Sequence, residues 1–202
     1  MKRKILTLVI AAMLVSSLSC GKSGGEVFDP SAIEGIGANE TVLSASADGD
    51  GTFILLDVTD PESGETYQRM ALCTDGKTGP KLTIKASLDS ARDFGYMGDD
   101  IDPDYDMTAA AAAHTDGMFC FVLKQGVAVF DDDMIPVVYI PADDEPDGIS
   151  NVDGTMYLRV RRDGKNIFLR VDAENGKLAE CTKDEARAAE KAFISVKRIP
   201  EA

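Results

Sequence analysis

The sequence contains no tryptophan and a single histidine, His114. A metal centre built on several histidines is therefore excluded, and a His-based hydrolase would depend on this one residue. H-E-x-x-H does not occur, so that metalloprotease signature is missing. Basic residues are scarce: 21 Lys+Arg stand against 35 Asp+Glu, a net charge of −14. Such a chain repels nucleic-acid phosphates, which excludes DNA or RNA as a partner. Past Leu18 no apolar run approaches the roughly 20 residues of a spanning helix, so no transmembrane helix is expected there. Gly76-Lys77-Thr78-Gly79 lacks the first glycine of a phosphate loop and a following helix, so no nucleotide site is assigned.

What is present begins at the N-terminus. Met1-Lys2-Arg3-Lys4 is followed by an apolar run from Ile5 to Leu18. A basic stretch before a short apolar one is the pattern of an export signal, here residues 1–19. The run ends at Leu18-Ser19-Cys20-Gly21, which resembles a bacterial lipoprotein signal. The resemblance implies that the Cys20 sulfur receives diacylglycerol and that the chain is cut just before it. It also implies attachment to a membrane, with the outer membrane as default because Gly21 is not Asp. Ser17 and Ser19 also fit an ordinary cleavage site, which would release a soluble exported protein. Gly21-Lys22-Ser23-Gly24-Gly25 reads as a flexible tether, so 20–26 is taken as anchor and linker.

Removal of residues 1–19 takes three of the 21 basic residues and shifts the net charge from −14 to −17. The remainder suits one domain, taken as 27–202. With Cys20 acylated, Cys73, Cys120 and Cys181 remain and allow at most one internal disulfide; a free Cys20 would allow two. Cys120 lies inside Met118-Phe119-Cys120-Phe121-Val122-Leu123 and fits a small core residue.

Strand signals dominate. Thr52–Val58, Tyr67–Cys73, 118–123, 127–130, 135–140, 156–160 and 167–171 are short apolar runs between turn residues. Leu82, Ile84, Ala86 and Leu88 alternate with polar residues, the period of a half-buried strand. Asp163-Gly164 and Asn175-Gly176 predict hairpin turns. Residues 26–51 show little periodicity. Residues 89–106 and 143–148 read as acidic loops, and Ala109 to Ala113 as a helical turn. Thr182 and Glu185 form a capping box that opens a C-terminal helix. The expectation is a mainly β domain of antiparallel hairpins, a sandwich or open barrel, with one short C-terminal helix.

Two stretches repeat a pattern. Asp116-Gly117 and Asp153-Gly154 each precede an apolar strand, a Gly turn at 126 or 164, and a second strand ending in Asp131 or Asp172. The pairs stand 37 residues apart, and Asp50-Gly51-Thr52-Phe53 opens a third copy. With Leu169-Arg170-Val171-Asp172-Ala173-Glu174-Asn175-Gly176-Lys177-Leu178, this resembles the quinoprotein-like (PQQ-like) β-propeller repeat. That resemblance implies, as the alternative fold, a small or partial propeller.

No catalytic residue is assigned. Asp100, Asp102, Asp104 and Asp106 alternate, and closely spaced carboxylates suit Ca²⁺, the one cofactor the sequence suggests. A solvated acidic loop is the competing account. Cys73, Cys120, Cys181 and His114 could in principle ligate zinc, but no two have close ligand spacing. His114 itself reads as a surface turn residue. Arg159, Arg161 and Arg170 fit one face of a hairpin, balanced by nearby carboxylates. The expected function is a lipid-anchored, non-enzymatic binding or scaffold domain at the cell envelope, facing the periplasm or cell surface, with an envelope protein or glycan as partner. The alternative is an extracytoplasmic hydrolase using loop carboxylates, such as a glycosidase. Function is expected in 89–106 and 141–150, because loops on β scaffolds carry it.

Overall fold

The computed structural model describes residues 25–83, 108–115 and 117–198. Cys20 and the Ca²⁺ candidates Asp100, Asp102, Asp104 and Asp106 lie outside the described residues, as do Ile84, Ala86, Leu88 and Asp116. The fold of the described residues is mainly β, antiparallel, with one α-helix among them. It contains strands β1 (Val27–Phe28), β2 (Glu40–Asp48), β3 (Gly51–Thr59), β4 (Thr66–Thr74), β5 (Lys77–Thr78), β6 (Leu82–Thr83) and β7 (Ala111–Thr115). It continues with β8 (Met118–Leu123), β9 (Gly126–Asp131), β10 (Pro136–Pro141), β11 (Glu145–Val152), β12 (Thr155–Arg162), β13 (Lys165–Asp172) and β14 (Lys177–Glu180). The chain closes with α1 (Lys183–Ala192) and β15 (Ser195–Val196).

Local turn chemistry sets the hairpins. Asp75-Gly76, Asp153-Gly154 and Asp163-Gly164 all have positive φ at both residues. That is the two-residue turn whose twist matches the flanking strands, and Asp-Gly tolerates it best. Each hairpin extends into a meander, so strands pair with their sequence neighbours. The orders are β2-β3-β4-β5, β10-β9-β8-β7 and β11-β12-β13-β14, with β6 added on β4.

The three copies of the sequence repeat are these three meanders. Asp50-Gly51 and Asp153-Gly154 lie at the turns from β2 to β3 and from β11 to β12, and Gly117 lies at the turn from β7 to β8. The wider gap between the first and second copies holds residues 84–107. The first strands β2, β7 and β11 each pack against the other two. Three blade-like meanders therefore share a line of first strands, fewer than the four blades of a closed propeller.

The middle meander is buried on both faces. Phe119, Phe121, Ala128 and Phe130 meet Phe53, Leu55 and Met70 of the first sheet. Cys120, Val122, Val127, Val129 and Ile140 meet Ile149, Met156, Leu158 and Val160 of the third. A strand buried on both sides reads as a continuous apolar run, which is what Met118–Leu123 is. The outer face of the first sheet packs on Phe28 and Ile194; that of the third packs on α1 through Tyr157, Phe168 and Ala189.

Two sequence expectations are corrected. Ala109 to Ala113 is not a helical turn, because Ala111–Thr115 is strand β7. Alanine favours helix intrinsically. Here Ala111 and Ala113 face the third sheet while Ala112 faces the first, and only a small side chain fits between two sheets that close. Residues 143–148 are not all loop, because β11 starts at Glu145. Its acidic residues meet arginines instead of water alone: Asp147 accepts from Arg159 Nε at 2.6 Å, and Asp144 from Arg162 at 2.8 Å. Residues 26–51, which lack periodicity, hold β1, a short 3-10 turn at Pro30–Ala32 and the nine-residue β2.

The two ends of the domain are clasped. β1 pairs in parallel with β15, and Ser195 N–H and Lys197 N–H donate to the Glu26 and Phe28 carbonyls at 2.9 Å. The Lys197 ammonium, 2.6 Å from Asp29, and the Ser31 hydroxyl hold the Asp29 carboxyl down at about 2. The described residues between 25 and 198 thus contain the contacts between the three sheets and join their own ends.

Candidate binding cavity

Where the first strands begin, they leave a cavity of about 1040 Å³. Its walls come from β2 (Glu40 to Ala45), from Ala110 and Ala111, and from Asp147, Gly148 and Ile149 of β11. The segment after β1 contributes Ile33 and Ile36, and the chain after α1 contributes Phe193 to Arg198. The strands part here because nothing zips them together. Their mutual contacts run through side chains, such as Ala112 N–H donating to Ser44 Oγ at 3.0 Å. Further along the line, Asn151 Nδ2 donates to the His114 carbonyl at 3.0 Å. The hydroxyls of Ser46 and Ser150 are buried without a hydrogen-bond partner among the described residues.

Five charged residues line the cavity: Glu40, Asp147, Arg159, Lys197 and Arg198. Glu40 is 5% exposed and lies 2.5 Å from Lys81 and 3.9 Å from Arg69. Burial alone would raise its carboxyl. The Gly37 N–H at 2.6 Å and the two cations outweigh that and hold it below its ordinary value, so it stays charged. Arg159 donates through Nε to Asp147, and its guanidinium carbon lies over the Phe193 ring, 3.7 Å from the centroid. This pair of contacts fixes the guanidinium plane.

The other end of the strand line holds His114. It is not a free surface turn residue: Nδ1 lies 2.8 Å from Asp48 and Nε2 lies 3.4 Å from Asp132. Its ring sits 4.4 Å from Phe119 and 5.8 Å from Phe53. No serine or cysteine is hydrogen-bonded to the imidazole among the described residues. The group ties the first sheet to the second.

The zinc set is not brought together. Cys73 belongs to the outer core of the first sheet, Cys120 to the interface of the second and third, and Cys181 to the helix interface. All three are free thiols, and among the described residues no three His, Cys, Asp or Glu side chains are placed to hold a metal. Burial pushes the Cys120 thiol up to about 12. With iodoacetamide under native conditions, half-buried Cys181 is expected to react first and Cys120 only after unfolding. Mass mapping of the alkylated chain checks this; labelling of both at one rate would contradict the closed core.

Arg159, Arg161 and Arg170 do share one face, because Arg159 opposes Phe168 and Arg170 opposes Tyr157. It is the face that α1 covers, and Arg170 pairs with Glu185 of that helix at 3.3 Å. Sequence reading missed the cavity itself. Glu40, Lys81, Ala110, Asp147 and Phe193 are too far apart in the chain for any spacing rule to join them.

No protein-family model and no curated protein matches this chain. Among solved structures it is similar to the one titled "Crystal structure of HIRA(644-1017)", at 13% identity and a TM-score of 0.38. The match covers 72% of this chain and 41% of that one, so the chain spans less than half the length of that structure.

Proposed function

We propose that this protein is a lipid-anchored binding domain of the cell envelope, and that its ligand enters the cavity at the head of β2, β7 and β11. The observation that carries the reading is the placement of that cavity. Most of its lining comes from backbone edges, small residues and aliphatic side chains, with a few fixed polar groups, which is the make-up of ligand pockets. The export signal and Cys20 supply the anchor, and the clasp of β1 on β15 delivers the tether to the cavity wall. Among the described residues no helix is long and apolar enough to cross a membrane.

The hydrolase alternative is less well supported. A glycosidase needs one carboxyl with a raised pKa to protonate the leaving group. Glu40 is shifted the other way, and Asp147 is held by Arg159. Both carboxylates are occupied in ion pairs that build the wall.

Expression of the full chain tests the anchor. The mature protein is expected in the membrane fraction, with a mass that places diacylglycerol and a further acyl chain on Cys20. Cys20→Ala should move it to the soluble fraction. An unmodified Cys20 in the wild-type chain would remove the anchor from this reading.

A further inference from the structure

We infer that the cavity binds a single-chain anionic amphiphile, an acyl chain ending in a carboxylate or a phosphate. This rests on the binding-domain reading and adds the class of ligand. Three observations converge on it.

The first is the wall. Ile33, Ile36, Val42, Leu43, Ile149 and Ile194 give the cavity an aliphatic lining with room for a flexible chain. The second is the charge at the mouth. In a chain of net charge −14, Arg159, Lys197 and Arg198 line this cavity; Lys197 is paired with Asp29, and Arg159 is paired with Asp147 through Nε alone. Arg159 uses Nε for Asp147 and its face for Phe193, and its terminal Nη atoms have no partner among the described residues. They form a planar two-pronged donor, the geometry that carboxylates and phosphates accept.

The third is position. Gly25 lies so close to the end of α1 that a Cβ there would stand 1.7 Å from the Phe193 carbonyl oxygen. The chain therefore leaves the domain at a residue of the cavity wall. Cys20 is five residues upstream, at most about 17 Å of extended chain. An acylated Cys20 holds the mouth beside a bilayer, the compartment that supplies single-chain amphiphiles. A soluble peptide or sugar ligand would gain nothing from that placement.

The test uses residues 21–202, refolded after organic extraction to strip co-purified lipid. Palmitate and lysophosphatidylglycerol are titrated calorimetrically below their micellar concentrations, with hexadecanol as the uncharged control. Saturable one-to-one binding of either anion is expected, and the tighter of the two names the source. Arg159→Met should weaken anion binding roughly tenfold and leave hexadecanol unchanged. Ala110→Phe should partly fill the cavity and weaken binding of all three; Thr41→Trp, exposed on the same lining, replaces it if that variant does not fold.

Absence of saturable binding by either anion, in a protein with native circular dichroism, would overturn the inference. So would full-strength binding in both filled variants, or a tenfold loss for hexadecanol as well in Arg159→Met. The anchor is read separately from the mass of Cys20 in the full chain. Silent titrations with an acylated Cys20 would remove the amphiphile and leave the anchored domain. Palmitate binding with an unmodified Cys20 would do the reverse.

Discussion

Phe121→Ala is expected to lower the unfolding free energy by about 3–5 kcal/mol, the cost of deleting a large ring from a site that cannot collapse. Phe121 is 1% exposed at the centre of β8. Its ring meets Phe130 edge-on at 5.4 Å and stacks on Phe119 at 6.4 Å. The surroundings cannot relax into the space, because the second sheet is clamped by the first and third. A domain of this size has on the order of 5–15 kcal/mol in total, so one residue carries a large share. Leu72→Ala, 39% exposed near the end of β4, is the control and should cost under about 1 kcal/mol. Urea titration of both variants checks the pair. A Phe121→Ala cost near that of the control would mean that the middle sheet is not buried on both faces.

Glu40→Ala is expected to cost about 2–4 kcal/mol. The carboxylate is 5% exposed and serves the Gly37 N–H, Lys81 and Arg69 at once. Its removal leaves the Gly37 N–H without its acceptor and two cations without their counter-charge, Lys81 keeping the Gly35 carbonyl and Arg69 the Tyr67 hydroxyl. The figure sits below the usual maximum for a buried pair because Lys81 and Arg69 are 19% and 32% exposed and recover some hydration. The same group predicts a pH dependence. Its folded pKa is depressed, so its stabilisation is complete above the ordinary glutamate value, about 4.3, and is lost as pH falls through the lower folded value. The stability gap between wild type and Glu40→Gln should stay constant from about pH 5 to pH 8 and narrow below about pH 4. A gap that widened on acidification would reverse the assignment. The variant also reports on the cavity, since Glu40 forms part of its wall.

The sequence displayed most strands of the second and third meanders, since each is a short apolar run between turn residues. Asp163-Gly164 and the Thr182–Glu185 capping box are decided by a few neighbouring residues, and both stand where their local chemistry places them. β7 was hidden for the opposite reason. Its alanines favour helix locally, and only the pressure of two neighbouring sheets makes small size their relevant property. β11 was hidden because its start is acidic; the arginines that neutralise Asp144 and Asp147 lie on β12. His114 looked like a turn residue because Asp48 and Asp132 come from another strand and another loop.

By itself the sequence determined the acidic charge, the β class and the repeat of Asp-Gly hairpins. Each of these depends on composition or on residues within one turn of each other. Only the tertiary structure decided that three meanders place their first strands side by side and open a cavity at one end. That cavity joins Glu40, Ala110, Asp147 and Phe193 across most of the chain. Its existence rests on how strand edges meet and on which side chains are small enough to let them, and neither quantity is encoded at any single spacing.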